Sequence, residues 1–267
     1  MLIIGKIIEI INLTMMIITD LDNSLLNDNL QTTEYTKNIF KKCKEAGHII
    51  AFATARPYRK TRILFDSIKP DAAICHCGSV VYINEKIIYQ NGIKPTAAKS
   101  ILENITKDYP NINIAVECND EIFTNFDTSI YWKEVPYKDI DLENLPSDDL
   151  NKIIVGLELI KNIDIVKKYL PDDLYIEKME DKVGLIMNKK ATKWNGIKEL
   201  LKYYGVKQED TVSFGDDDVD IEMIEKCGTG VAVKNGNERI KSRAKFICES
   251  NNEDGIAKWL EAHYPLP

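Results

Sequence analysis

The sequence is short of several things that define protein classes. Its 267 residues include six cysteines, none in C-x-x-C spacing, so neither a zinc ribbon nor a dithiol redox centre is written in it. A chain of this length needs no disulfide staples, and the six read as reduced thiols of a cytoplasmic protein. Cys75-His76-Cys77 is their one cluster, and it lacks the second pair of ligands a metal site would need. Lysine and arginine are outnumbered 35 to 42 by aspartate and glutamate, for a net charge of −7. That balance excludes general nucleic-acid binding, which requires clustered cations. Thirteen glycines and nine prolines are too few for a collagenous or low-complexity chain. No apolar run reaches the roughly 20 residues of a membrane span, because Lys6, Glu9 and Asn12 interrupt the N-terminal stretch. The same stretch lacks the unbroken core and cleavage site of a signal peptide. Residues 1–14 are expected to be a dispensable extension, with Met15 or Met16 as the functional start. No G-x-G-x-x-G follows the first strand candidate, which argues against a dinucleotide-binding enzyme.

What is present is ordinary in amount and ordered in pattern. The chain is 44% hydrophobic and 29% charged, as globular proteins are. Its length suits one large domain or a core with a smaller partner, at roughly 150 residues per domain. Short apolar runs at 15–19, 48–54, 72–75, 211–214, 229–233 and 245–248 are continuous rather than alternating, the pattern of strands buried on both faces of a parallel sheet. Helical spacing fills the intervals at 32–46, 193–204, 220–227 and 253–263, with Gly47 and Gly205 placed as C-terminal caps. Strands alternating with helices predict an α/β, doubly wound, Rossmann-like core.

The middle of the chain differs. A helix at 95–108 is followed by strand candidates at 112–118, 121–126 and 152–160, a short helix at 162–170 and a hairpin at 174–180 and 183–188. This predicts an inserted α+β cap over 91–188, with residues 15–90 and 189–267 forming the discontinuous core. Residues 91–188 carry 11 basic and 19 acidic side chains, leaving 24 and 23 elsewhere. The negative charge thus concentrates on the insertion, which argues for substrates with a small, mostly neutral body. Trp132, Tyr131 and Tyr137 read either as a stacking face for a sugar or ring or as cap core.

Four segments carry chemistry. Asp20 and Asp22 follow the first strand and, at a period of two, point the same way. Two such carboxylates need a cation or proton between them. They suit a nucleophile, Asp20, and an acid/base, Asp22; an Asx-turn after a strand is the plainer reading. Thr54, after the second strand, can donate to a phosphoryl oxygen, with small Ala55 letting backbone amides approach and Arg56 following. It could equally cap the next helix. Lys193 opens a helix, against the dipole, where anionic partners would favour it. Gly215-Asp216-Asp217-Asp218-Val219-Asp220 puts four carboxylates at a strand's end, a site for a hard cation or an acidic surface loop.

Taken together, Asp-x-Asp, Thr, Lys and Gly-Asp-x-x-x-Asp in this order resemble the haloacid dehalogenase-like hydrolases, in particular the Cof-type sugar-phosphatase branch with an inserted cap. The likeness runs from about residue 15 to the C-terminus and includes the tail Ser250-Asn251-Asn252-Glu253-Asp254-Gly255-Ile256-Ala257. The resemblance implies a Mg²⁺-dependent phosphatase of small phosphorylated metabolites, sugar phosphates or similar, working through an aspartyl-phosphate. It implies Asp20 as nucleophile and Asp22 as acid/base and carbonyl ligand of Mg²⁺. It further implies Thr54, Ala55, Arg56 and Lys193 around the phosphoryl group, Asp216 as metal ligand and Asp220 supporting the metal's water. Three positions depart from the branch. Asn23-Ser24 stands where Gly-Thr is usual; Ser24 keeps a hydroxyl, and asparagine tolerates left-handed backbone. Val219 replaces an asparagine, leaving either a weaker metal site or compensation by Asp218. Cys77-Gly78 stands where Asn-Gly is usual. A phosphotransferase or mutase on the same scaffold, and a non-catalytic phosphate-binding or signalling protein, are the competing readings. A simple receiver has no place for a cap, nor need of Asp22. Oligomeric state is not legible.

Overall fold

The computed structural model describes residues 14–132, 135–160, 162–179 and 181–267. The expected N-terminal extension lies outside them except for Thr14. Fourteen strands are found among the described residues: β1 Met16–Thr19, β2 Ile49–Ala53, β3 Ala72–Cys75, β4 Val80–Ile83, β5 Lys86–Gln90, β6 Ile114–Cys118 and β7 Glu121–Thr124. They continue with β8 Lys138–Asp139, β9 Lys152–Gly156, β10 Leu174–Met179, β11 Val183–Asn188, β12 Thr211–Gly215, β13 Thr229–Val233 and β14 Phe246–Cys248. The larger sheet has the order β14-β13-β12-β1-β2-β3-β4-β5, and a second, six-stranded sheet has the order β10-β11-β9-β6-β7-β8. The α/β architecture with a parallel-dominated core sheet is the one expected, and all six apolar runs form strands.

The chain divides into two compact units. One takes the described residues up to Ala51, with Ser67–Pro70 and Tyr204–Pro267. In it β1 pairs parallel with β12, β12 with β13, and β13 with β14. Met16, Ile17 and Ile18 are fully buried, as are Val212 and Phe214, which explains why these strands show no polar alternation. The helix Glu34–Glu45 starts at Thr33, whose side chain accepts the N–H of Thr36, and buries Ile39, Phe40 and Cys43. Gly47 follows at φ +85°, the left-handed conformation that a C-terminal cap requires.

The other unit takes Phe52–Asp66 and Asp71–Tyr203. Its six-stranded sheet is antiparallel except for the β7–β8 pair. Alternation along β6 and β9 sends side chains to opposite faces. Ile114, Val116, Ile153 and Val155 join Ile101, Leu102 and Ile105 of the helix Pro95–Asp108 on one side. Ala115 and Ile154 join Ile122, Leu185 and Met187 on the other, with Tyr131 and Trp132 packed against them.

Several elements differ from expectation, among them the two-residue strand β8 and the following two. The antiparallel hairpin β4–β5 was not anticipated, because its turn is Asn84-Glu85, both at positive φ, where glycine would be the usual signal. The segment expected as a helix at 162–170 is a 3-10 coil, Ile163–Tyr169.

Candidate active site

The first unit assembles an acidic cluster from two ends of the sequence. Strand β1 delivers Asp20, whose N–H donates to the Phe214 carbonyl at 2.9 Å, so the β1–β12 ladder fixes it beside the residues that follow β12. One carboxylate oxygen from each of Asp20, Asp216 and Asp220 lies within 4.8 Å of those from the other two. Asp20 and Asp220 are buried. Among the described residues this is the only such group of three potential ligands, and Cys75-His76-Cys77 forms none. Three carboxylates this close and this dry repel one another unless a cation lies between them. An all-oxygen donor set of this kind fits a hard cation such as Mg²⁺.

The acidic loop divides its labour. Asp220 Oδ2 accepts the N–H groups of Asp216 at 3.1 Å and Asp217 at 3.3 Å. Asp217 caps the turn that follows. Asp218 turns away: Arg239 and Asn237 donate to it. Asp218 is not a member of the carboxylate cluster, and Val219 is exposed. Gly215 is required by close approach, because a Cβ there would fall 2.6 Å from Asp220 Cβ.

The turn after Asp20 shows what the Asn23-Ser24 departure preserves. Asn23 adopts φ 56°, ψ 4°, the left-handed conformation glycine would supply. Ser24 is buried and donates its hydroxyl to Asp216 Oδ1 at 2.9 Å. Asp22 is partly buried, and its carboxylate is not a member of the cluster; of its expected roles, the acid/base role and the backbone-carbonyl ligand do not require membership.

Thr54 and Lys193 belong to the second unit, and both are buried. The Thr54 N–H donates to Ile74, its carbonyl accepts from Cys77, and its Oγ1 accepts the N–H of Arg56 at 3.1 Å. The hydroxyl proton remains to be donated elsewhere. Lys193 begins the helix Lys193–Tyr204. The Cys77-Gly78 turn reaches both: a Cβ on Gly78, at φ +108°, would lie 2.0 Å from the Thr192 carbonyl oxygen and 3.0 Å from Lys193 N. Gly78 thus does what the usual Asn-Gly glycine would, while Cys77 takes the preceding left-handed position at φ 56°.

A cavity of about 550 Å³ lies in the same unit, starting at Ala55 and Arg56 and bounded by Glu117, Lys152, Tyr131 and Trp132. Sequence reasoning passed over Arg59, Glu117 and Lys152, because nothing local marks a buried ion pair. Arg59 donates to Glu117 Oε2 at 2.7 Å, and His76 Nε2 is 3.9 Å from the same oxygen. Burial, and then Lys152, push the His76 imidazole down to about 3, so it is neutral at ordinary pH. Burial opposes charge on Glu117, yet the positive groups beside it hold its carboxyl below the usual carboxylate range. Tyr131 and Trp132 pack on Phe126 at ring distances of 5.1 and 6.2 Å, as cap core would, and they also line the cavity. Tyr137 is exposed and outside this cavity.

A parallel-sheet core with a carboxylate cluster after β1 and β12 defines a class. Residues 17–260 match the haloacid dehalogenase-like hydrolase family, and the chain belongs to it; it is an enzyme. It is similar to the 5-amino-6-(5-phospho-D-ribitylamino)uracil phosphatase YitU of Bacillus subtilis, 26% identical over 94% of this chain and 98% of that one. Over 32% of this chain and 38% of the relative it is 37% identical to the phosphoglycolate phosphatase of Methanosarcina acetivorans. Among solved structures, TM0651 from Thermotoga maritima superposes with TM-score 0.85 at 24% identity, covering 94% of this chain and 98% of that one. The HAD subclass IIB sugar phosphatase BT4131 superposes with TM-score 0.76 at 22% identity, covering 93% and 98%. Among the described residues no helix is long and apolar enough to cross a membrane.

Proposed function

We propose that the chain is a Mg²⁺-dependent phosphomonoester hydrolase acting on small phosphorylated metabolites, sugar phosphates or similar, through an aspartyl-phosphate. The observation that carries this reading is the convergence of Asp20, Asp216 and Asp220 after β1 and β12. The phosphatase names of relatives that match along nearly the whole chain support it.

In this reading an Asp20 carboxylate oxygen attacks phosphorus, the ester P–O bond breaks, and the leaving oxygen takes the proton of Asp22. Asp22 then removes a proton from water, whose oxygen attacks phosphorus; the bond to Asp20 breaks, and phosphate leaves. Thr54, the amides near Ala55 and Arg56, and Lys193 hold the phosphoryl oxygens, as the family resemblance implies. Asp20, Asp216 and the Asp22 carbonyl would hold Mg²⁺, with Asp220 supporting its water. The bound ion would offset charge on the phosphoryl oxygens and on the carboxylates themselves. We further assign residues 91–188 as the inserted cap. Six buried cysteines outside any disulfide are in keeping with the cytoplasmic setting we propose.

The test is phosphate release from a panel of monoesters by wild type and Asp20→Asn, with Mg²⁺ and with chelator. Release by wild type with Mg²⁺ alone is expected. Activity that survives chelation, or the loss of Asp20, refutes the mechanism.

A further inference from the structure

The tail Ser250-Asn251-Asn252-Glu253-Asp254 has no part in the chemistry proposed above, yet the fold joins it to the turn that carries Asp22. The tail is itself a shaped element. Ser250 and Glu253 form a reciprocal capping box, with the Ser250 hydroxyl donating to Glu253 Oε2 at 2.8 Å. Asp254 accepts the hydroxyls of Thr33 and Thr36 at 2.6 and 2.7 Å. Between these anchors stands Asn251, only 6% exposed. Its amide donates to the Leu26 carbonyl at 3.0 Å and to Asp28 Oδ1 at 3.1 Å, and its backbone N–H donates to Asn235 Oδ1 at 3.0 Å. Asn235 in turn donates to the Asn23 carbonyl at 2.7 Å. An amide side chain has distinct donor and acceptor ends. The Asn251 N–H therefore selects the orientation in which Asn235 donates to Asn23.

These bonds converge on the turn over 21–26, which the Leu26 N–H closes onto the Leu21 carbonyl at 2.8 Å. Inside it the chain reverses between Asp22, extended at φ −72°, ψ 131°, and Asn23, left-handed at φ 56°, ψ 4°. A left-handed residue that has a Cβ is uncommon, and it persists where its surroundings over-determine it. Here Asn235 holds the Asn23 carbonyl, Asp216 holds the Ser24 hydroxyl and Asn251 holds the Leu26 carbonyl. Asn235 lies just past the end of β13, in a turn whose Asn237 N–H donates to the Asp216 carbonyl at 2.9 Å. One turn thus braces both the Asp22 segment and the Asp216 segment, which are far apart in sequence.

We infer that Asn235 and Asn251 are positioning residues for Asp22: they fix the turn from which its carboxyl delivers a proton to the leaving oxygen. The role rests on the phosphomonoesterase reading above, and the two amides act through the turn rather than on the reacting atoms. In the first step the proton passes from Asp22 to the ester oxygen as the P–O bond breaks, leaving Asp22 a carboxylate. That transfer matters most where the leaving oxygen is strongly basic. An alkoxide needs the proton, whereas p-nitrophenolate, a weak base, leaves without it. A turn that lets Asp22 drift should therefore slow the cleavage of alkyl phosphates more than that of p-nitrophenyl phosphate.

The experiment measures kcat/KM at saturating Mg²⁺ for p-nitrophenyl phosphate and for the alkyl phosphate that wild type cleaves fastest. The ratio of aryl to alkyl should rise about a hundredfold or more in Asp22→Asn, the usual span of general acid catalysis. It should rise about five- to tenfold in Asn235→Ala and in Asn251→Ala, as one lost hydrogen bond predicts. Asn252, which accepts the Asp28 N–H at 3.1 Å beyond the turn, is the control, and Asn252→Ala should keep the wild-type ratio. Asn235 is exposed, so its variant should fold with a wild-type urea midpoint. Loss of folded protein lowers both rates alike and leaves the ratio where it was. A wild-type ratio in Asn235→Ala, or an equal rise in Asn252→Ala, would overturn the inference. Should wild type cleave no alkyl ester, or Asp22→Asn leave the ratio unmoved, the mechanism above fails by itself, and hydrogen exchange decides the positioning role. The Leu26 amide should then exchange about five- to tenfold faster in Asn235→Ala than in wild type, with the Ile18 amide of β1 unchanged. Equal exchange at Leu26 in the two proteins sinks it.

Discussion

The hydroxyl of Ser24 donates to Oδ1 of Asp216 at 2.9 Å across 192 positions of sequence. The bond orients one carboxylate of the acidic cluster through a residue that would not itself touch a metal. Loss of such an orienting partner typically costs about 10–100-fold in metal affinity. Ser24→Ala should raise the Mg²⁺ concentration for half-maximal activity within that range, and Ser24→Thr, which keeps the hydroxyl, should not. Equal effects of the two substitutions would remove the orienting role.

Close backbone approach at Gly215 makes a second, independent prediction. A methyl group there meets Asp220 Cβ and Cγ at 2.6 Å, so the Asp220 carboxylate has to shift. Gly215→Ala should fold with a penalty of about 1–3 kcal/mol, the usual cost of overpacking, and lose Mg²⁺ affinity. Urea unfolding reads the first effect and a metal titration the second. Unaltered metal binding would show that Asp220 is dispensable to the cluster.

The mutual repulsion of Asp20, Asp216 and Asp220 should make the protein more stable with Mg²⁺ than without. An ion at 100 times its dissociation constant adds about 2.7 kcal/mol, which for a domain of this size is a rise in Tm of roughly 5–10 °C. Differential scanning fluorimetry with Mg²⁺ and with chelator measures it. Asp216→Asn should shrink the rise; an identical rise in that variant would place the ion elsewhere.

Gly78 is held at φ +108° against the Thr192 carbonyl. Alanine there would be both conformationally strained and in collision with backbone, so Gly78→Ala should cost about 2–4 kcal/mol. The collision pushes on the first residues of the Lys193 helix. The folded fraction at low temperature is therefore expected to lose turnover as well as stability. Wild-type kcat in a destabilised Gly78→Ala protein would mean that Lys193 tolerates the displacement.

His76 supplies a pH dependence with a definite sign. Its folded-state value is lowered to about 3 from 6.5 by burial first and Lys152 second. Between those values the unfolded chain binds the proton and the folded chain does not, so stability rises with pH. The contribution is fully present above 6.5 and is lost as pH falls toward 3. Glu117, also lowered, adds its own loss only below its ordinary value of 4.5. Urea midpoints measured from about pH 7 to about pH 5 should fall in wild type and fall less in His76→Gln. His48, lowered by burial too, leaves a residual slope. Parallel curves for the two proteins would exclude His76 as the source.

Much of the site is local and was therefore legible. Strand ends, the Asp-x-Asp spacing and helix caps depend on residues a few positions apart, and the left-handed turn at Asn23 follows from the side chain that occupies it. The β4–β5 hairpin was not legible, because Asn84-Glu85 adopts a turn conformation that glycine normally announces.

The sequence by itself determined the order and kind of the core strands, and which side chains could form a phosphoryl-transfer site. Only the tertiary structure decided which of four neighbouring carboxylates converge with Asp20. The β1–β12 register sets Asp20 beside Asp216 and Asp220, while Arg239 and Asn237 draw Asp218 away. It also decided the character of the cavity, since Glu117 and Lys152 meet only through pairing of β6 with β9, and Arg59, far from both in sequence, is brought to Glu117 by the fold. Net charge is a sum over a segment's whole surface, whereas a binding cavity is lined by the few side chains that the fold turns inward.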